Sequence, residues 1–326
     1  MGEILEPGVY PDLPMADYLA IPALSAGIVR TLLDRCPRAA WHESWLNPQR
    51  ARYDTAATDI GTVAHAVLLE GSDDCVEVID PKDHPAEKTG AIPDGWTNKS
   101  IRAARDVARA AGKIPLLAAD YDRVRAMVNA ARGYLDSVAE HEPAVAEAFT
   151  LDRAETELTM VWREGDTLCK LRADKMTRDR ALICDYKTSG VSVEPDRWGR
   201  TQLVGLGYYL SAAWYRRGVR ALTGKEPAYA FLAQEVDPPH LCALVGVSPD
   251  AFALGDEKIA AGLAEWQRCV AAGAWPAYPP RIAYPELPVW ESTRWTERQG
   301  VDSHGIPYNL EQLWGPPRDP FKREAA

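Results

Sequence analysis

The segment TLCKLRADKMTRDRALICDYKTS, residues 167–189, constrains the fold more than any other stretch of the chain. Two runs with the apolar content of buried strands flank the turn-like tetrapeptide Thr177–Arg180. A symmetric hairpin about this turn has its midpoint between Asp179 and Arg180, which sets Asp174 directly opposite Asp185. Opposed residues of an antiparallel pair carry Cβ atoms ~4.5–5.5 Å apart on one face of the sheet. Lys187 lies two residues beyond Asp185 and shares that face, while Tyr186 points away. Lys170 and Arg172 have the parity of Asp174 and add positive charge nearby. A strand that enters a core thus ends in two facing carboxylates and an ammonium.

Facing carboxylates repel unless something positive lies between them. A hard divalent cation meets that need: Mg²⁺ takes oxygen ligands from one or two carboxylates and keeps waters for a phosphate substrate. A lysine beside it can orient an attacking water and neutralise charge that grows on the phosphate. The pattern D-x10-D-x-K is short, however. Taken alone, it is read more economically as a structural salt bridge at a strand end. Two further residues bear on the choice. Glu157 lies on the preceding strand ETELTMVW and brings a third carboxylate to the same unit. His65 lies on the helical stretch TDIGTVAHAVLLE, where its apolar neighbours also suit a packed core histidine.

The remaining periodicities describe an α/β (α+β) chain. Residues 24–46 read as two short helices, with Ser25 at the N-cap of the first and Pro37 opening the second. Residues 58–70 read as a helix capped by Thr58 or Asp59. CVEVID reads as a strand, 81–97 as a loop, and 98–112 and 119–140 as helices. A long helix is predicted over 197–217. AYAFLAQEV and HLCALVGVS, around DPP, read as a hairpin, and 249–272 as a helix. From Trp275 onward, prolines and aromatics predict an irregular tail. A single domain over 1–290 and a tail over 291–326 follow.

Composition narrows the class. Of 326 residues, 46% are hydrophobic and 26% charged, the balance of a soluble globular protein. No apolar run approaches the ~20 residues that span a bilayer. The N-terminal stretch lacks the basic-then-apolar order of a secretory signal. The six cysteines are scattered without a C-x-x-C pair, which speaks for reduced thiols in a cytoplasmic protein and against zinc or iron–sulfur ligation. A net charge of −10 counts against a protein that coats nucleic acid by surface charge, but not against a locally basic channel.

An ordered set of motifs then carries a resemblance. LSAGIVRTLLDRCPRAAW, GTVAHAVLLEG, AAGKIPLLAADYDRVRAM, ETELTMVW, CKLRAD, ICDYKTS, FLAQEVDPPH and LPVW follow one another between about Gly8 and Trp290. In that order the chain resembles the RecB-like branch of the PD-(D/E)xK nuclease superfamily, and within it the exodeoxyribonuclease VIII-type phage recombination exonucleases. The resemblance implies a central mixed β-sheet flanked by helices, the restriction-endonuclease-like core. It implies Asp174 and Asp185 as principal metal ligands, with His65 and the backbone carbonyl of Tyr186 as further ones. Lys187 would be the catalytic lysine and Glu157 an acidic residue of the site. Ser25, Tyr215, Arg172 and Lys170 would contact substrate. The family usually carries a glutamine four residues before a tyrosine on the helix after the D-x-K strand. Here the helix reads YYLSAAWY, with Ser211 at that place, Tyr215 kept and Gln202 upstream.

The activity so implied is Mg²⁺-dependent digestion of linear double-stranded DNA, 5′ to 3′, with Mn²⁺ as a substitute cation. It would leave 3′ single strands for an annealing partner. Such enzymes often form homo-oligomeric rings that enclose DNA, which suits an acidic surface. Two other readings share the sequence: an endonuclease or nickase acting on branched or foreign DNA, and a nuclease-derived DNA-binding protein without turnover.

Overall fold

The computed structural model describes residues 5–50 and 56–299. Its strands, in chain order, are β1 (Gly8–Tyr10), β2 (Val76–Ile79), β3 (Ile114–Leu117), β4 (Ala154–Glu164), β5 (Thr167–Thr177), β6 (Leu182–Ser189), β7 (Ala228–Glu235) and β8 (Cys242–Gly246). A six-stranded sheet runs β1-β4-β5-β6-β7-β8, and β2 and β3 form a separate parallel pair. Within the large sheet only β6 and β7 are parallel; the other neighbours are antiparallel. The architecture is therefore the mixed α/β one that the sequence implies. A parallel pair needs a long crossover, and here residues 190–227 supply it.

The helices are α1 (Met15–Ala20), α2 (Ala26–Asp34), α3 (Pro37–Glu43), α4 (Ala56–Leu69), α5 (Lys99–Ala110), α6 (Ala118–Val138), α7 (Pro143–Ala148), α8 (Pro195–Trp198), α9 (Tyr208–Thr223), α10 (Pro249–Ala272) and α11 (Val289–Gln299). They cover both faces of the sheet. On one face Leu158, Met160 and Trp162 of β4 and Leu171 of β5 pack with Trp214 of α9 and Trp266 of α10. On the other, Cys184 and Tyr186 of β6 pack with Val63 and Leu68 of α4 and Met127 of α6. Each fully buried large side chain of this kind contributes roughly 1.5–3 kcal/mol. With two buried faces, β6 is apolar along both parities until it reaches Asp185.

Several sequence expectations need correction. The helix expected from residue 58 already begins at Ala56, so Thr58 and Asp59 lie in its first turn instead of capping it. A strand not expected, β3, forms from IPLL just before α6. The single helix expected over 197–217 is broken: α8 passes into a π-helical turn at Gly199–Val204, and Gly207 adopts φ +68° before α9 starts. Only glycine enters that left-handed region without a steric penalty. The stretch expected to be an irregular tail contains α11, which has no Pro or Gly and carries an ion pair between Glu291 and Arg294, one turn apart. Met1–Ala277 forms one compact unit and Tyr278–Ala326 a second.

Candidate active site

The register between β5 and β6 places the two aspartates. Lys175 pairs with Cys184 and Met176 with Ile183, so the next step along each strand sets Asp174 opposite Asp185. The ladder stops there. In place of a further backbone pair, the amide of Tyr186 donates to Asp174 Oδ2 at 3.0 Å. Beyond this point β5 is joined by Leu24, which bridges to Cys169 in parallel. Leu24 N–H donates to the carbonyl of Leu168, and Lys170 N–H to that of Leu24, both at 2.8 Å. The other edge of β5 belongs to β4, so Leu24 occupies the edge that β6 has left. The sheet forks at the aspartates, and Ser25 follows directly on the strand-like residue that fills the fork.

A second irregularity coincides with the first. On β5, Cys169, Leu171 and Ala173 face the α9 side, and so does Met176; strict alternation would turn Met176 away. On β4, Leu158, Met160 and Trp162 face the α9 side, whereas Ala154 faces α6. The β4–β5 register is the same on both sides of the change. Each strand therefore carries one residue out of the pleat, Glu157 and Asp174, and the two are opposite one another. Glu157 takes φ +51°, a conformation uncommon for any non-glycine residue. The paired break turns both carboxylates toward one imidazole. His65 Nε2 lies 3.1 Å from Asp174 Oδ2 and 3.5 Å from Glu157 Oε1.

The charges are crowded and largely withdrawn from water. Lys187 Nζ forms an ion pair with Asp185 Oδ1 and lies 3.9 Å from Asp174 Oδ2. Tyr229 donates its hydroxyl to Asp185 Oδ2 at 2.9 Å. Burial and the neighbouring Asp174 carboxylate push the Asp185 carboxyl up to about 7. Burial would also raise Asp174, but the Lys187 ammonium and the His65 ring hold it well below the usual carboxylate range. For Lys187 burial works the other way, and Asp185 and Asp174 outweigh it to raise its pKa. His65 is likewise raised by Asp174 and Glu157 against the effect of burial. Glu157 is raised, by burial and then by Asp174, although His65 and its ion-pair partner Arg172 oppose this.

Two carboxylates face each other in a buried place, and one of them is driven to hold a proton near neutrality. The adjacent donors are a third carboxylate and an imidazole. Such an oxygen-rich set with one nitrogen suits a hard divalent cation such as Mg²⁺ or Mn²⁺. Beside it, His65, Glu70 and Glu157 bring ligand atoms within 4.8 Å of one another. A cavity of about 980 Å³ opens here, lined by His65, Glu70, Glu155, Glu157, Arg172 and Arg178 among others.

The other residues singled out in the sequence fall in different places. Lys170 is a correction: its ammonium is buried on the carbonyls of Tyr18 and Ile21, at 2.8 and 2.9 Å, and is taken out of the substrate-contacting set. Arg172 is anchored on Glu157 and on the carbonyl of Leu13 at 2.6 Å, so it acts first on the site's own carboxylate. Both lie N-terminal to the break at Asp174; Arg172 still reaches the site through Glu157, whereas Lys170 turns to the carbonyls of Tyr18 and Ile21. Ser25 caps α2 in an extended conformation without a side-chain capping bond. Tyr215 packs edge-on to Tyr229, with ring centroids 6.2 Å apart.

Three residues at the site had no signal in the sequence. Tyr208 opens α9 after the Gly207 turn, and its ring centroid lies 5.8 Å from Lys187 Nζ. Arg30 reaches from α2 to the carbonyl of Leu206, at the same turn. Tyr229 comes from β7, which reaches β6 only through the crossover.

Fold and site together define a PDDEXK-like protein. Residues 30–288 match the family described as a PDDEXK-like domain of unknown function (DUF3799), and the chain belongs to that family. No curated protein matches it. Among solved structures it is similar to a presumptive exonuclease from Eubacterium rectale, with 11% identity and a TM-score of 0.53 over 86% of this chain and 98% of that one. At that identity the likeness is one of fold. A structure of SSO0001 is 14% identical over 63% of this chain and 86% of that one, with a TM-score of 0.25, and carries no weight. No described helix is long and apolar enough to cross a membrane.

Proposed function

We propose that this protein is a divalent-cation-dependent exonuclease acting on the ends of linear double-stranded DNA. The observation that carries this reading is the pair Asp174 and Asp185, opposed at the fork of the sheet with Lys187 beside both. Family membership and the fold of the exonuclease-like neighbour support it. Asp174, Asp185 and His65 would hold Mg²⁺ or Mn²⁺, with the backbone carbonyl of Tyr186 as a further ligand. Such a cation, when bound, activates water and offsets charge on a scissile phosphate. The chain's own groups do the rest. The Tyr186 amide fixes Asp174. Lys187, held charged by two carboxylates, supplies a preorganised positive group where negative charge develops. Glu157, tied to Arg172, keeps His65 turned toward Asp174. Ser25, at the fork, and Tyr215 are the proposed substrate contacts; Arg172 supports the site from behind.

The finer reading is 5′-to-3′ digestion that leaves 3′ single strands for an annealing partner, by a homo-oligomeric ring in the cytoplasm. An acidic chain, net −10, holds DNA better by enclosure than by surface charge. The test is a time course on linear duplex labelled at each 5′ end, beside covalently closed circular duplex, with and without Mg²⁺. Early release of 5′ label from the linear substrate alone, only with Mg²⁺, is expected. Cleavage of the circle would replace this reading with an endonuclease of the same fold. Binding without cleavage would indicate a nuclease-derived binding protein, to which Ser211 at the glutamine position would then be a clue.

A further inference from the structure

Tyr229 is a buried tyrosine whose hydroxyl contacts the site. It is 4% exposed and lies at the start of β7, in register with Ile183, two residues before Asp185. Its ring is fixed on two sides, 4.9 Å from Phe231 and 6.2 Å from Tyr215 between centroids. Its hydroxyl meets Asp185 Oδ2 at 2.9 Å, on the carboxylate whose Oδ1 meets Lys187. In the ionised form in which Asp185 would hold a cation it only accepts, so the phenol donates to it.

We propose that Tyr229 is a positioning residue that fixes the carboxylate plane of Asp185 for a divalent cation. The proposal rests on the metal-dependent reading given above. Asp185 sits where the β5–β6 ladder has ended, so its strand pairing on that side does not fix the side chain. Lys187 touches one oxygen from a long flexible stem. The phenol holds the other oxygen from a buried ring packed against Phe231 and Tyr215. Together they hold both oxygens of Asp185, which faces Asp174 across the fork. Donors behind a ligand of this kind typically change metal affinity or activity by ~10–100-fold when removed.

The test is Tyr229→Phe, which keeps the ring and its packing. Mn²⁺ binding to the whole protein is followed by titration calorimetry, with melting temperature and cleavage at graded metal concentration alongside. The expected result is an Mn²⁺ Kd raised about tenfold or more, a melting temperature close to wild type, and a rate that largely recovers at saturating metal. An unchanged Kd overturns the proposal, whatever happens to the melting temperature. If the Phe variant fails to fold, p-aminophenylalanine and p-methylphenylalanine at position 229 decide instead, because both fill the hydroxyl's space and only the first donates. The amino variant should bind Mn²⁺ more tightly; equal binding overturns the proposal. Wild-type protein that binds no Mn²⁺ would sink the metal-dependent reading itself, a different result from equal binding by wild type and variant.

Discussion

Asp185 keeps a proton up to about pH 7 because burial and the Asp174 carboxylate both disfavour its anion. Its other neighbours, Lys187 and Tyr229, keep their own protons through that range, since both pKa values are raised above already high ordinary ones. A cation that binds Asp185 must displace its proton. Divalent affinity should therefore be level above about pH 7 and fall at least about tenfold per pH unit below it. His65, also raised, must lose its proton to act as a ligand, which would steepen the fall. Calorimetric titration with Mn²⁺ between pH 5.5 and 8.5 checks this, and a flat profile would rule out Asp185 as a ligand. Lys187→Ala should bind metal and DNA yet cleave roughly 10²–10³-fold more slowly. Lys187→Arg should not restore the rate, because a planar guanidinium does not replace a compact ammonium. Single-turnover rates decide, and near-normal cleavage by the Arg variant would leave Lys187 and Asp185 as a structural pair. Asp174, Asp185 and Lys187 were legible in the sequence because one short antiparallel pair places all three. Tyr208, Tyr229 and Arg30 were not, because each arrives through contacts distant in sequence.

The elements that aim these residues are irregular at the places that matter. The register of β5 on β6 was legible because a tight turn between two apolar runs fixes it. The paired break at Glu157 and Asp174 was invisible, because the same residues read equally well as unbroken strands; parity did place Arg172 beside Glu157, but put Lys170 near a site it does not reach. The split between α8 and α9 was missed because the apolar spacing continues across it; Gly199, Gly205 and Gly207 were its only mark. Helix α4 presents His65 by close approach to β6. A Cβ on Gly61 would lie 2.8 Å from Thr188 Oγ1, next to Lys187. Gly61→Ala should push α4 off the sheet, destabilising the protein by about 1–3 kcal/mol and lowering cleavage as His65 moves. Thr188→Ala removes the obstructing hydroxyl and should restore both in the double variant. Melting temperatures and rates of the four-member cycle test this; a Gly61→Ala protein with wild-type values would show that α4 is not held by that approach.

At the scale of the whole molecule, the mixed sheet with helices on both faces was legible from the ordered motifs. The parallel β6–β7 pairing was not, because no local pattern marks a crossover. The acidic charge leads to a further prediction. If enclosure holds DNA, the protein in solution should be a closed homo-oligomer, and light scattering should return a multiple of the chain mass. A monomer that digests long duplex without dissociating would contradict that. The account as a whole turns on whether the facing aspartates carry the chemistry. The most direct measurement is single-turnover cleavage of linear duplex by Asp174→Asn at saturating Mg²⁺, with thermal melting alongside. The substitution keeps the shape of the side chain and an oxygen to accept from the Tyr186 amide. The account predicts cooperative melting and cleavage slower by roughly 10²-fold or more; a folded variant that cleaves at nearly the wild-type rate would contradict it.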